Sequence, residues 1–271
     1  MILNRAVLNP ESGIKHMTSR QGETETRSSE FQVIGILESC YREKFGTPRQ
    51  AHLVPGSQAK LLIYPRYSPG HSLTGLSAFS HVWLISWLHL TTNKRFHPKI
   101  HPPRLRGGKI GVFASRSPHR PNPLGLSLAK LERVTNNTLY LSGIDLINGT
   151  PILDVKPYLP FSDAAENPLS GWVPDNAFPE LKVAFSDRAL KDIGIKHPSD
   201  GPDLRRLISD TLRHDPRNTR DLTQMKDGAE LEFFLCGREV HFTVAGQTAT
   251  VSRVETAVKF EKKFRRVKPV E

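Results

Sequence analysis

From residue 31 onward, apolar residues fall in short runs cut apart by glycine, proline and asparagine. Runs of that length between turn formers predict strands more often than helices. The first are residues 31–37 (FQVIGIL) and 59–64 (AKLLIY). Residues 82–90 (VWLISWLHL) are almost continuously apolar, which predicts a strand buried on both faces, with a buried helix as the alternative. Further strands are expected over 109–114, 126–134, 138–147 and 152–155. The pairs Asn136-Asn137 and Asn148-Gly149 mark tight turns among them. Strand following strand through short turns predicts an antiparallel barrel or sandwich, not the strand–helix alternation of a doubly wound sheet.

The pattern changes beyond residue 157, where Pro, Asp, Asn and Gly dominate to residue 179. A second unit is expected after this linker. Leu204, Leu207, Ile208 and Leu212 share one helical stripe, and strands are expected over 230–236, 239–244 and 249–254. Residues 1–29 are polar without apolar periodicity and read as a disordered arm. The expected division is an arm (1–29), a barrel (30–160), a linker (161–180), a small α+β unit (181–258) and a basic tail (259–271). The tail reads as a solvated charge run or as a phosphate-touching segment.

Composition adds the electrostatics. The net charge is +11, the pI is near 9.8, and hydrophobic residues make up 37% of 271. No stretch reaches the eighteen apolar residues of a membrane span, and the N-terminus lacks a secretory apolar region, so the expected location is cytoplasmic. The charge is clustered: residues 44–131 hold thirteen Lys or Arg and no Asp or Glu. A face so free of acids predicts an anionic ligand, and nucleic acid above all. Cys40 and Cys236 lie far apart with no metal spacing and read as reduced structural thiols. His97 and His101 are four apart, but Pro98, Pro102 and Pro103 deny them a helix, so no metal is expected. Nucleotide-binding glycine loops, phosphate loops and nucleophile elbows are absent from the sequence.

The densest chemistry lies in residues 116–125 (RSPHRPNPLG). Pro118, Pro121 and Pro123 stiffen a loop whose Arg116, His119, Arg120 and Asn122 can all donate hydrogen bonds. Arg104 and Arg106, among prolines and glycines at 101–108, are candidate phosphate ligands. His89 ends its apolar run as either a structural histidine or a site residue.

These segments taken together, EKFGTPRQ, FSHVWLI, HPPRLRGG, GVFASRSPHRPNPLGLS, DLINGTPILDVKPYLP and HDPR, resemble the TsaA/YaeB (TrmO) family of S-adenosylmethionine-dependent tRNA methyltransferases. The resemblance runs from about residue 31 to 160, with a weaker echo beyond. It implies a mainly β protein: a single-sheeted antiparallel β-barrel with a small α+β C-terminal domain, acting as a homodimer. It implies methyl transfer to the exocyclic nitrogen of threonylcarbamoyl-adenosine beside the anticodon of threonine tRNA. Carried over onto this chain, Pro48, Arg49, Gln50, His89, Leu90, Arg116, Leu126, Ser127 and the turn Asp145, Leu146, Ile147, Asn148, Gly149, Thr150 would hold S-adenosylmethionine. Arg104, Arg106, His119, Arg120, Asp215 and Arg217 would meet tRNA, and His89, Arg116 and Arg120 are the candidates for a catalytic role. Leu90 stands where the family has a polar residue, and Arg106 replaces a glycine. The alternatives are a non-catalytic tRNA- or anion-binding module and the same chemistry on another substrate.

Overall fold

The computed structural model describes residues 31–91, 96–102, 105, 108–173, 180–195, 203–217 and 226–257. Arg104, Arg106, the arm and the basic tail lie outside the described residues.

Strands β1 (Gly35–Ser39), β2 (Gln58–Ile63) and β3 (His81–Trp87) are followed by a two-residue pair, β4 (Lys99–Ile100) and β5 (Ile110–Gly111). The long strand β6 (Leu124–Thr135), β7 (Thr138–Ser142) and β8 (Thr150–Pro157) then complete the first sheet. It closes on itself in the order β1-β2-β7-β6-β3-β8, a six-stranded barrel, with every neighbouring pair antiparallel. Leu37, Leu61, Leu84, Leu139, Leu141 and Ile152 fill its interior.

Local differences from the sequence pattern have physical reasons. Strand β3 alternates: Val82, Leu84 and Ser86 are buried, while Trp83, Ile85 and Trp87 face outward and stay half-buried. A closed barrel has one inside, so a run apolar at every position must put half its residues on the exterior. Their cross-strand partners Leu128, Leu126 and Leu124 extend that apolar outer face. β1 starts at Gly35, where Cβ would come within 2.2 Å of the Leu62 carbonyl oxygen. The strand expected over 109–114 curls after Gly111 into a 3-10 turn, Val112–Ala114, because its partner β4 is only two residues long. The strand expected over 138–147 ends at Ser142, since Gly143 (φ 72°) turns the chain away.

The second sheet has four strands in the order β10-β11-β12-β9. Three are those expected: β10 (Glu230–Leu235), β11 (Arg238–Ala245) and β12 (Thr248–Thr256). The fourth, β9 (Lys182–Phe185), lies parallel to β12. A helix, Asp187–Gly194, follows it, capped by Ser186. The helix Leu204–Arg213 is capped by Asp203, whose carboxylate accepts from the Arg206 N–H at 2.9 Å. Its stripe of Leu204, Leu207, Ile208 and Leu212 is buried against the sheet. That core also takes Tyr41 and Val54 from the β1–β2 connection. The two units therefore meet over the segment that carries Pro48, Arg49 and Gln50. Cys40 and Cys236 meet there too, with the Cys236 N–H donating to the Cys40 carbonyl at 3.0 Å; the two thiols are not joined in a disulfide.

Candidate active site

The segment 40–57 leaves β1 and is held from both sides. Phe45 stacks on Phe242, with centroids 6.4 Å apart, and Gly46 turns at φ 84° directly against the Phe233 ring. Only a residue without Cβ fits there, since Cβ would come within 2.6 Å of Phe233 Cδ2. The Arg49 guanidinium donates to the Arg217 carbonyl. Arg217 itself forms a bidentate pair with Asp215, at 2.8 Å on each arm. The Asp215–Arg217 element thus stands beside the Arg49 loop, and its guanidinium serves its own turn.

Next along the loop, the Gln50 side-chain carbonyl accepts from Arg116. Arg116 comes from the loop between β5 and β6, 66 positions away. It is exposed, and its positive charge acts on Asp145. Burial pushes the Asp145 carboxyl up from its ordinary 3.8; the hydrogen bond from Ser127 Oγ (2.5 Å), the backbone N–H of Ala51 and the Arg116 charge pull the other way. Asp145 is therefore a partly desolvated acceptor facing two segments that the sequence holds far apart.

Alternation along β6 separates Leu126 from Ser127. Ser127 is 2% exposed and points inward to Asp145, while Leu126 is 60% exposed on the opposite face. In the turn after Asp145, most polar groups are engaged by the backbone. Asn148 Oδ1 accepts from Ser39 N at 3.0 Å, Gly149 (φ 81°) donates its N–H to the Leu37 carbonyl, and Thr150 Oγ1 donates to the Ile147 carbonyl. Leu146 belongs to the barrel core. The turn thus builds a wall, and Asp145 is its chemical group.

His89 follows β3, half-buried, its ring 6.3 Å from that of Trp87; burial lowers its pKa, so it is neutral at physiological pH. Leu90 beside it is exposed. Arg120, expected to meet tRNA or take a catalytic role, is held by its own loop. It donates to the Val112 carbonyl at 3.0 Å and the Ser115 carbonyl at 2.7 Å, fastening the loop that presents Arg116. His119 is half-buried, and burial and Lys44 lower its pKa; its Nδ1 has no hydrogen-bond partner among the described residues. Gathered together are Gln50, Arg116, Asp145 and Ser127, with Arg49 and the Asp215–Arg217 element on the flank.

His52 is not among the residues that the sequence motifs single out. It sits at φ 67° with its N–H on the Gly143 carbonyl and its ring 5.6 Å from that of His81. Burial and His81 lower its pKa. No spacing pattern announces it, because its neighbours come from β3 and from the turn after β7.

The geometry stands alongside clear similarities. A family model for the tRNA-methyltransferase O N-terminal domain matches residues 36–164. An Escherichia coli (strain K12) protein, tRNA (adenine(37)-N6)-methyltransferase, is 36% identical over 195 residues, covering 70% of this chain and 83% of its own. A Homo sapiens protein of the same name is 50% identical over 145 residues, or 53% of this chain and 33% of the human one. The chain thus spans about a third of the length of the mammalian relatives it matches. Relatives in Pseudomonas aeruginosa and Pyrococcus abyssi are named for S-adenosylmethionine. The crystal structure of TrmO from Pseudomonas aeruginosa superposes with a TM-score of 0.69 at 31% identity, covering 84% of this chain and 98% of that one.

Proposed function

The chain belongs to the tRNA-methyltransferase O family, and from that premise we propose that it methylates the exocyclic nitrogen of threonylcarbamoyl-adenosine beside the anticodon of tRNA, with S-adenosylmethionine as donor. The observation that carries this reading is the convergence of Gln50, Arg116, Ser127 and Asp145 from three separate segments around one partly buried carboxylate. Donor and site have matching chemistry. Asp145 can accept from ribose hydroxyls, Arg49 can pair with the donor's carboxylate, and the acid-free face suits phosphates. When bound, S-adenosylmethionine supplies a methyl group on a sulfonium.

The chain's own residues then have positioning work. The arm of Gln50 fixes the Arg116 guanidinium, and Arg120 fixes the loop beneath it, so little side-chain freedom remains to be lost on binding. Alignment of this kind accounts for roughly 7–11 kcal/mol of barrier in the best intramolecular systems. The acceptor nitrogen must lose a proton. Neutral His89 is one candidate to take it, and water is another. With Arg120 committed to backbone carbonyls, Arg116 is the residue assigned to the threonyl carboxylate of the substrate.

Isothermal titration with S-adenosylmethionine, followed by methylation of threonylcarbamoylated tRNA and nucleoside mass spectrometry, tests the function. A saturable heat and a methylated nucleoside are expected; no heat would leave a binding module that holds tRNA without catalysis. Substituting Arg116→Leu should cut the rate on modified tRNA far more than donor affinity, and equal losses would refute the carboxylate assignment. The homodimer, the cytoplasmic location and the role of the C-terminal unit as a tRNA support belong to the same proposal.

A further inference from the structure

We propose that Phe113, with Phe96 beside it, is a stacking platform for an unpaired nucleobase of the RNA substrate. This rests on the RNA-methylation reading and adds a contact that the site residues named so far do not contain. Phe113 is 71% exposed. An exposed phenyl ring on a loose segment would mean little. Here the backbone on either side of it is tied down. The Val112 carbonyl accepts from Arg120 at 3.0 Å and from Ser115 Oγ at 2.7 Å. The Ala114 carbonyl accepts from Trp172 Nε1 at 2.7 Å, and the Ser115 carbonyl accepts from Arg120 at 2.7 Å. Val112 is buried, and its N–H donates to the Pro98 carbonyl at 3.0 Å. Three side chains thus hold a three-residue turn whose central side chain stays in water.

The surroundings say what the ring meets. The Arg120 guanidinium lies over it, 5.4 Å from its centroid, and the half-exposed Phe96 ring lies 6.4 Å away, inclined by 32°. Phe113 stands within the acid-free stretch 44–131 and three residues before Arg116. A flat apolar face backed by a guanidinium, in a positive field and beside the proposed methylation site, matches an unpaired base on its phosphate backbone. A phenyl ring has no hydrogen-bonding group, so it reads the π-face of a base and not its edge. Sequence-tolerant stacking against bases splayed from a loop is how such aromatics bind single-stranded RNA.

The test compares the full chain with Phe113→Leu and Phe113→Tyr by fluorescence anisotropy on two RNAs: a labelled anticodon stem–loop and a fully paired duplex of equal length. Loss of one base stack weakens binding on the order of 5- to 150-fold. Phe113→Leu should lose that factor on the stem–loop, raise KM for tRNA with little change in kcat, and leave duplex binding and S-adenosylmethionine affinity unchanged. Phe113→Tyr should restore stem–loop binding. Stem–loop affinity unchanged in Phe113→Leu overturns the proposal, as does an equal loss on both RNAs. If the unaltered protein binds neither RNA, the RNA-methylation reading itself falls, and the stacking platform with it.

Discussion

Gly46→Ala tests the claim that the C-terminal sheet sets the geometry of the proposed cofactor loop. Two costs act at this position. An L-residue at φ 84° pays roughly 1–2 kcal/mol for left-handed backbone. The new Cβ would also lie 2.6 Å from Phe233 Cδ2 and 3.0 Å from its Cβ and Cγ, and Phe233 is fully buried. Overpacking of that kind costs about 1–3 kcal/mol. The sum is about 2–5 kcal/mol, which for a chain of this size lowers Tm by about 4–9 °C. Gly75→Ala is the internal control: it has nearly the same φ, 83°, but nothing among the described residues within 4 Å of its Cβ. It should show the backbone cost alone, so the difference between the variants isolates the contact with Phe233. Circular dichroism melts give both numbers. Because Gly46 lies two residues before Pro48, Gly46→Ala should also weaken S-adenosylmethionine binding by about tenfold, equivalent to about 1.4 kcal/mol, whereas Gly75→Ala should not. Equal Tm losses would refute the steric argument. A large Tm loss with unchanged donor affinity would refute the link between sheet and loop.

Asp145→Asn should raise Tm at neutral pH while lowering donor affinity. Burial raises the folded-state pKa of Asp145, so its ionised form opposes folding above that pKa, and the stabilising effect of the amide should shrink as pH falls and the acid protonates; a Tm gain independent of pH would contradict this. In the same site, Ser127→Ala removes the hydrogen bond that favours the carboxylate, so the pH at which donor binding is lost on acidification should move upward. Cys40 is half-buried beside the buried Cys236, and that neighbour and then burial raise its pKa, so neither thiol should react with iodoacetamide in the native protein, and both should react in denaturant. Native-state labelling at a rate like that of free cysteine would refute this placement.

What the sequence disclosed and what it hid separate along one line. Signals within a single element were legible. The short apolar run at 126–134, the Asn-Gly turn and the 3.6-period stripe Leu204–Leu212 are each local to one element, and each of these elements formed. Roles that depend on a partner from another element were not legible. Arg120 and Arg116 look alike in a run of donors, yet Arg120 turns back to Val112 and Ser115 while Arg116 crosses to Gln50. The choice is made by the 3-10 turn at Val112–Ala114, which aims two carbonyls at one guanidinium, and no spacing in the sequence encodes that aim. Tyr41 and Val54 show the same effect at larger scale, since they sit between two barrel strands in sequence but complete the core of the C-terminal unit. A boundary drawn at residue 181 therefore divides the chain but not the packing. The Arg49–Gln50 loop is fastened on one side by Phe233 and Arg217 and on the other by Arg116. Removing the C-terminal unit would leave Tyr41, Phe45 and Val54 without the core they enter. The barrel strands alone would then retain Asp145 and Ser127 but lose the packing that fixes the Arg49–Gln50 loop beside them.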